Sequence, residues 1–350
     1  MISIIIPTYK NKDRLYATLF SIGFNYKNIE IIIVDDCSGD KYEDIVEYFK
    51  PFFNIRVIYC EKNGGPGIAR NVGIDAANGE YIIFIDCGDV FVSPFCVKRM
   101  AQFMDENQNI QLASYGHLEE KDNGVLEYTS AVNNRIHGKI FRRSLLNLYQ
   151  IRFSEVCPRI NEDIGFCQTI RFINQQMGKI GAEFIMNIED DPMVIWCCHM
   201  DSLVRKNNFQ YFYTRQNMGL AYNSLFAIKN ARRWGVSKEF IEPIICEHMA
   251  FMYVMYMCTH NDRPEFDEIA WAGAQYYYNN IYEDLKKINV EQIVYSTHRV
   301  IGEAYNDVDN PFNYKIIEYT YPQFLQDLEN KRVSGDNSYE QILLDNITCN

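Results

Sequence analysis

The strongest constraint on the fold of this chain lies in its first ninety residues. There, four short, largely apolar runs alternate with stretches of helical spacing. The runs are Ile2–Ile6, Glu30–Val34, Arg56–Tyr59 and Tyr81–Ile85. They do not alternate apolar with polar residues, so each is expected to be buried on both faces, as strands of a parallel sheet are. Asp13–Phe24 places Leu15, Leu19 and Ile22 on one helical face, with Asn11 or Asp13 as cap. Tyr42–Phe49 is a second helix, stopped before Pro51, and Ile68–Ala77 is a third. A β-α-β-α-β-α-β order predicts a mostly parallel, Rossmann-like sheet with right-handed crossovers and helices on both faces.

In open α/β sheets, ligands bind where strands end. The first run ends in Pro7-Thr8-Tyr9, the second in Asp35-Asp36-Cys37-Ser38 and the fourth in Asp86-Cys87-Gly88-Asp89. Carboxylates in such places meet a metal ion, a metal-bound phosphate or a sugar hydroxyl. A strand followed by an ordinary Asp/Gly turn accounts for the last stretch equally well when it is taken alone. Asn63-Gly64-Gly65-Pro66-Gly67 opens the third helix with a glycine-rich end suited to an anion. No GxGxxG follows the first strand and no Gly-Lys-Ser/Thr follows any strand, which argues against a nicotinamide domain and a Walker-type loop.

At 350 residues the chain is long enough for two domains. Its formal net charge of −12 argues against nucleic acid as the main partner. It leaves room for one anionic nucleotide at a locally favourable site. The 11 cysteines are odd in number and lack CxxC pairs, and the N-terminus is a strand with no leader-like features. Reduced thiols and a cytoplasmic setting are therefore expected. Cys197-Cys198 reads as core packing.

Beyond residue 90, Pro94–Met104 reads as helix, Gln111–Tyr115 as strand and Glu119–Gly124 as a polar turn. His137–Leu148 includes a basic amphipathic helix carrying Lys139, Arg142 and Arg143, and Ile151–Phe153 is extended. A helix opens at Asn161 and runs to about Gln176. Glu162 and Asp163 in its first turn suit the helix macrodipole, which is their plain structural explanation. Tyr211–Arg215 is strand-like. From there the character changes: Leu220–Trp234, Lys238–Cys258 and Phe266–Lys287 all carry helical spacing. A boundary near 218 gives domains 1–218 and 219–350, the second mainly helical, with a polar tail from about Arg332. Met249–Cys258 is too short to span a bilayer. That segment and Tyr276-Tyr277-Tyr278 suit core packing best, with homo-oligomer contacts or peripheral membrane association as the other outlets for their apolar surface.

Taken together, several motifs resemble family 2 glycosyltransferases of the GT-A fold. They are Ile5-Ile6-Pro7-Thr8-Tyr9-Lys10, Val34-Asp35-Asp36-Cys37-Ser38, Asn63-Gly64-Gly65-Pro66-Gly67-Ile68-Ala69-Arg70-Asn71, Gly79 through Asp89, His137-Gly138-Lys139-Ile140-Phe141-Arg142-Arg143 and Asn161-Glu162-Asp163. The resemblance covers roughly residues 1–215, leaving the helical tail outside it. It implies an inverting transfer from a nucleotide-diphosphate sugar, UDP being the family's most frequent carrier, to a glycan, glycolipid or protein hydroxyl, as in polysaccharide biosynthesis. It implies a divalent ion, Mn²⁺ or Mg²⁺. It places Pro7, Thr8 and Tyr9 at the base and ribose, with Tyr9 stacking. Asp36 would accept from the base and Asp35 would support that loop. Asn63 and Arg70 lie near the diphosphate, and Asp86 at the ribose and metal. Lys139 borders the sugar or acceptor. Asp163 is the expected base, with Glu162 beside it. The chain departs from the usual Asp-x-Asp-Asp at the third position, which is Gly88; Asp89 is the neighbour able to take the metal. The second reading is a GT-A protein that binds nucleotide or glycan with weakened catalysis. A nucleotidyltransferase would want a basic, glycine-rich loop after the first strand, where this chain offers only Lys10.

Overall fold

The protein is described here by a computed structural model, covering residues 1–350 apart from 132–133, 200–207, 263, 290, 292–294, 301, 303–319 and 348–350. It divides into two compact units. The first comprises Met1–Arg159 and Phe166–Met200, the second Ile160–Gly165 and Asp201–Asn350.

The first unit carries the expected alternation. β1 (Ile2–Thr8), α1 (Leu15–Ser21), β2 (Ile29–Asp35), α2 (Glu43–Phe49), β3 (Asn54–Tyr59), α3 (Pro66–Ala76) and β4 (Tyr81–Phe84) follow one another in sequence. β1 is parallel to β2 and β4, and β2 to β3. All seven residues of β1 and of β2 are buried, so the continuous apolar runs do mark strands covered on both faces. Glu30 is a charged residue within this largely apolar pair of strands. Its carboxylate accepts from Ser3 Oγ, the Asn78 and Gly79 backbone N–H groups and Arg56, so a buried charge is fully hydrogen-bonded.

The chain continues with β5 (Val90–Phe91), α4 (Cys96–Glu106), β6 (Leu112–Tyr115), β7 (His117–Glu120), β8 (Leu126–Thr129), β9 (Lys139–Arg142), α5 (Arg143–Leu148), α6 (Glu162–Gly178), β10 (Ile185–Ile188) and β11 (Val194–Trp196). The main sheet has the order β10-β6-β9-β4-β1-β2-β3, and a smaller one the order β5-β11-β7-β8. β9 runs antiparallel between β4 and β6, which makes the sheet mixed. The expected basic helix over His137–Leu148 is therefore half wrong: its first part is strand β9. Arg142 is buried there because its guanidinium donates to the Met104 and Ile110 carbonyls and to Glu80, so a charged residue serves as internal packing. The polar turn expected at Glu119–Gly124 is the end of β7 and the link to β8.

The second unit is helical: α7 (Asn208–Arg233), α8 (Lys238–Asp262), α9 (Asp267–Leu285), α10 (Tyr321–Ser334) and α11 (Ser338–Ile347). The strand-like reading of Tyr211–Arg215 fails, since those residues lie inside α7. The polar end expected from about Arg332 is helical: α10, opened by a capping box of Thr320 and Gln323, runs to Ser334, and α11 follows with Tyr339 and Leu343 buried among otherwise largely exposed residues. Most of Met249–Cys258 is buried, as are Tyr277 and Tyr278, in line with the core-packing reading. No helix among the described residues is long and apolar enough to cross a membrane.

Candidate active site

The carboxyl ends of β1, β2 and β4 converge in the first unit, because parallel neighbours in register must end together. Asp36 N–H donates to the Thr8 carbonyl at 2.9 Å, which joins two of the expected motifs directly. Pro7 and Thr8 are buried in β1, while Tyr9 is exposed and has Lys10 Nζ 5.1 Å from its ring centroid. Asp35 supports its own loop, accepting from Ser38 N and Oγ and from Tyr42 Oη at 2.9 Å.

Asp36 is 4% exposed and accepts the Gly64 and Gly65 backbone N–H groups at 2.7 Å each. The glycine-rich turn before α3 was expected to meet an anion; the anion it holds is the protein's own Asp36. Gly67 N–H likewise donates to the Pro158 carbonyl. Burial pushes the Asp36 carboxyl above the ordinary range, against the pull of those two N–H groups and of Arg159. Each oxygen keeps a second lone pair. Gly65 has φ +90°, and a Cβ there would stand 2.4 Å from Arg159 Cγ, so this turn requires glycine. Arg159 donates to the carbonyl and side chain of Asn63, closing the loop from the other side. Asp36→Ala strands two buried N–H groups and is expected to cost about 2 kcal/mol or more. Urea unfolding checks this, and a loss under about 0.5 kcal/mol would mean the loop is held by other contacts.

At the end of β4, Arg70 from α3 donates to Asp86 Oδ1 at 2.7 Å while its guanidinium lies over Phe153. Burial works to raise the Asp86 carboxyl, but Arg70 and His137 outweigh it and hold it below its usual range. Asp89 is 3% exposed, and burial raises its carboxyl despite His137. His137 Nε2 is 3.2 Å from Asp89 Oδ2 and 3.9 Å from Asp86 Oδ2. Cys197 N–H donates to Asp89 Oδ1 at 3.0 Å, and His199 Nε2 lies 3.2 Å from the Gly88 carbonyl. Lys139, 1% exposed, opens β9 two residues beyond His137.

This neighbourhood suits a divalent ion. One donor atom each from Asp86, Asp89 and His137 lies within 4.8 Å of the other two, and the same holds for Asp89, Cys197 and His199. A mixed carboxylate–imidazole set favours Mn²⁺ over Mg²⁺, which prefers oxygen. The expected pair, Asp86 and Asp89, is thus brought together, and His137, which carried no expected role, stands between them. Its ring is stacked on Trp196 at 5.5 Å and meets His117 in a tilted contact at 5.3 Å. His117 is pushed down to about 3 by burial and by His137, so it remains a neutral spacer. Cys197 and Cys198 are only partly buried, which corrects the core-packing expectation. The described cysteines are all free thiols.

Glu162 and Asp163 belong to the second unit. Asn161, with φ +53°, donates to the Gln216 carbonyl, and Asn223 of α7 donates to the Ile160 carbonyl at 2.8 Å. Glu162 is buried and Asp163 partly exposed; the Ile164 N–H donates to Asp163 Oδ1 at 3.1 Å.

Residues 3–172 match the model of the family described as "Glycosyl transferase family 2". The chain is 30% identical over 265 residues to the putative teichuronic acid biosynthesis glycosyltransferase TuaG of Bacillus subtilis, covering 73% of this chain and 94% of that one. It is 36% identical over 111 residues to the poly(ribitol-phosphate) beta-N-acetylglucosaminyltransferase TarS of Staphylococcus aureus. That match is 31% of this chain and spans about a fifth (19%) of TarS. The solved S. aureus TarS 1–349 superposes with a TM-score of 0.62 at 20% identity, over 96% of this chain and 92% of that one, a likeness of fold. With motifs, sheet and a relative matched over nearly its whole length in agreement, the chain belongs to glycosyl transferase family 2.

Proposed function

We propose that the protein transfers a sugar from a nucleotide-diphosphate donor, a UDP-sugar first of all, to a hydroxyl of a surface glycan or glycolipid, with inversion. The first unit acts in donor binding and transfer, and the second is a mainly helical module. The observation that carries this reading is the meeting of Asp86, Asp89, His137 and Arg70 beside the Asp36 loop, at strand ends in a family 2 sheet. The names of relatives point the same way. TarS has been solved with UDP-GlcNAc, and an Escherichia coli relative is named as a UDP-Glc-dependent glucosyltransferase.

In this reading Tyr9 stacks on the base and Asp36 accepts from it through its remaining lone pairs. Arg70, held by Asp86 and Phe153, presents positive charge to the diphosphate. Asp86, Asp89 and His137 would hold a divalent ion, which would supply Lewis-acid neutralisation of the diphosphate leaving group. Lys139 borders the transferred sugar. Asp163 takes the acceptor's proton as its oxygen attacks in line, and Glu162 positions that turn.

UDP with Mn²⁺ is expected to raise the melting temperature by several degrees, and chelator to remove most of that gain. Asp89→Asn removes the metal-dependent part and leaves the rest. Equal shifts with and without metal in the wild type would show a metal-independent site. Donor hydrolysis without acceptor separates a transferase from a protein that only binds nucleotide.

A further inference from the structure

Away from the strand-end site, the helical unit holds two adjoining cavities between α8, α9 and α10. One is about 780 Å³ and the other about 320 Å³, and they share Tyr256, Trp271 and Lys331 as walls. Both volumes fall within the ~300–1,000 Å³ of ordinary ligand sites. The aromatic walls are rigid. Tyr256 meets Trp271 edge-on at 5.3 Å, and both pack on the buried Phe324, at 5.6 and 5.4 Å.

The polar lining is unusual in one respect. Gln275, 1% exposed, lines the smaller cavity; its amide N–H groups donate to the Leu328 carbonyl and to Asn279, but its Oε1 is buried with no hydrogen-bond partner. Asp267 lines the same cavity. Its Oδ2 pairs with His260 at 2.6 Å, while its Oδ1 is also buried without a partner. A buried acceptor left unpaired costs about 1–3 kcal/mol, so two of them on one cavity wall call for a donor from outside the protein. Charge narrows the class. Two of the lining acids are paired, Asp267 with His260 and Asp336 with Lys331, each at 2.6 Å, which leaves Glu268 and Asp327 as the further lining charges, both negative. Anionic polymers are repelled.

We propose that this groove binds an uncharged saccharide of two or more rings. A pyranose presents C–H faces that pack on Tyr256 and Trp271, and rim hydroxyls that donate to Gln275 Oε1 and Asp267 Oδ1. The larger cavity continues the chain past Asn330 and Ser334. This is a carbohydrate site separate from the donor chemistry, and it stands whether or not the transfer reading does.

The test uses the full chain without donor. Cellotetraose, maltotetraose, laminaritetraose and N-acetylchitotetraose are titrated by calorimetry, with dextran sulfate as the anionic control. At least one neutral tetrasaccharide binds. Trp271→Ala and Gln275→Leu each weaken it roughly tenfold or more. Asn330→Trp, a substitution at an exposed position that fills the larger cavity, weakens it without threatening the fold. All three variants keep the wild-type response to UDP. Four results would overturn the proposal: no binding of any neutral probe up to about 20 mM, tighter binding of the sulfated one, affinity undiminished in Asn330→Trp, or a dimer of the chain that Trp271→Ala dissociates.

Discussion

Asp163→Asn is expected to lower transfer by ~10²–10⁴ while leaving the affinity for UDP within about twofold. The substitution keeps the size of the side chain and an oxygen able to accept the Ile164 N–H, as Oδ1 does now at 3.1 Å. It removes the carboxylate that would take a proton from a hydroxyl. Folding and donor binding are therefore preserved, and the loss falls on the chemical step. Glu162→Gln separates the two acids. Glu162 is buried, so its amide disturbs the first turn of α6 and reduces kcat modestly, by less than about tenfold. Undiminished turnover in Asp163→Asn would remove Asp163 from the mechanism. The helix macrodipole would then be sufficient explanation for two acids in a first turn.

How much was legible beforehand depended on the kind of residue. β1, β2 and β4 were readable because both of their faces are buried, so apolar character ran unbroken through each. β9 was not. Lys139 and Arg142 are buried strand residues, the Arg142 charge satisfied by internal hydrogen bonds, so the sequence resembled a basic solvent-facing helix. The small sheet was missed for another reason: β7 and β8 are short and polar, and β7 is completed by pairing with β11, roughly 75 residues further along the chain. The acids at strand ends were legible from position alone. His137 was quoted within a motif yet given no role, because one histidine carries no sign of which carboxylates it will meet. His199 was also missed; the signal available was Gly88, since a missing side chain leaves room for another.

That exchange leads to the least intuitive expectation. Restoring the family's usual acid with Gly88→Asp is expected to impair the protein, with donor affinity falling by roughly tenfold or more and metal-dependent stabilisation reduced. Gly88 has φ +105°, a conformation that costs an L-residue about 1–3 kcal/mol. A Cβ at this position would lie 2.5 Å from His199 Nε2 and 3.2 Å from Arg14 Cδ, so the imidazole occupies the space an acid would need. The turn is also pinned on both sides. Gly88 N–H donates to Thr18 Oγ1 at 2.9 Å, and Thr18 Oγ1 donates to the Asp89 carbonyl at 2.8 Å. Moving residue 88 therefore moves Asp89, whose carboxylate faces His137. Gly88→Ala separates the causes: it carries the same backbone strain and Cβ clash without adding charge, so it reproduces most of the loss. The double variant Gly88→Asp with His199→Ala relieves the clash and recovers part of the metal-dependent nucleotide stabilisation that the single variant loses. If Gly88→Asp alone bound UDP and Mn²⁺ more tightly than the wild type, glycine here would mark a lost ligand, and the binding-protein reading of the chain would gain the upper hand.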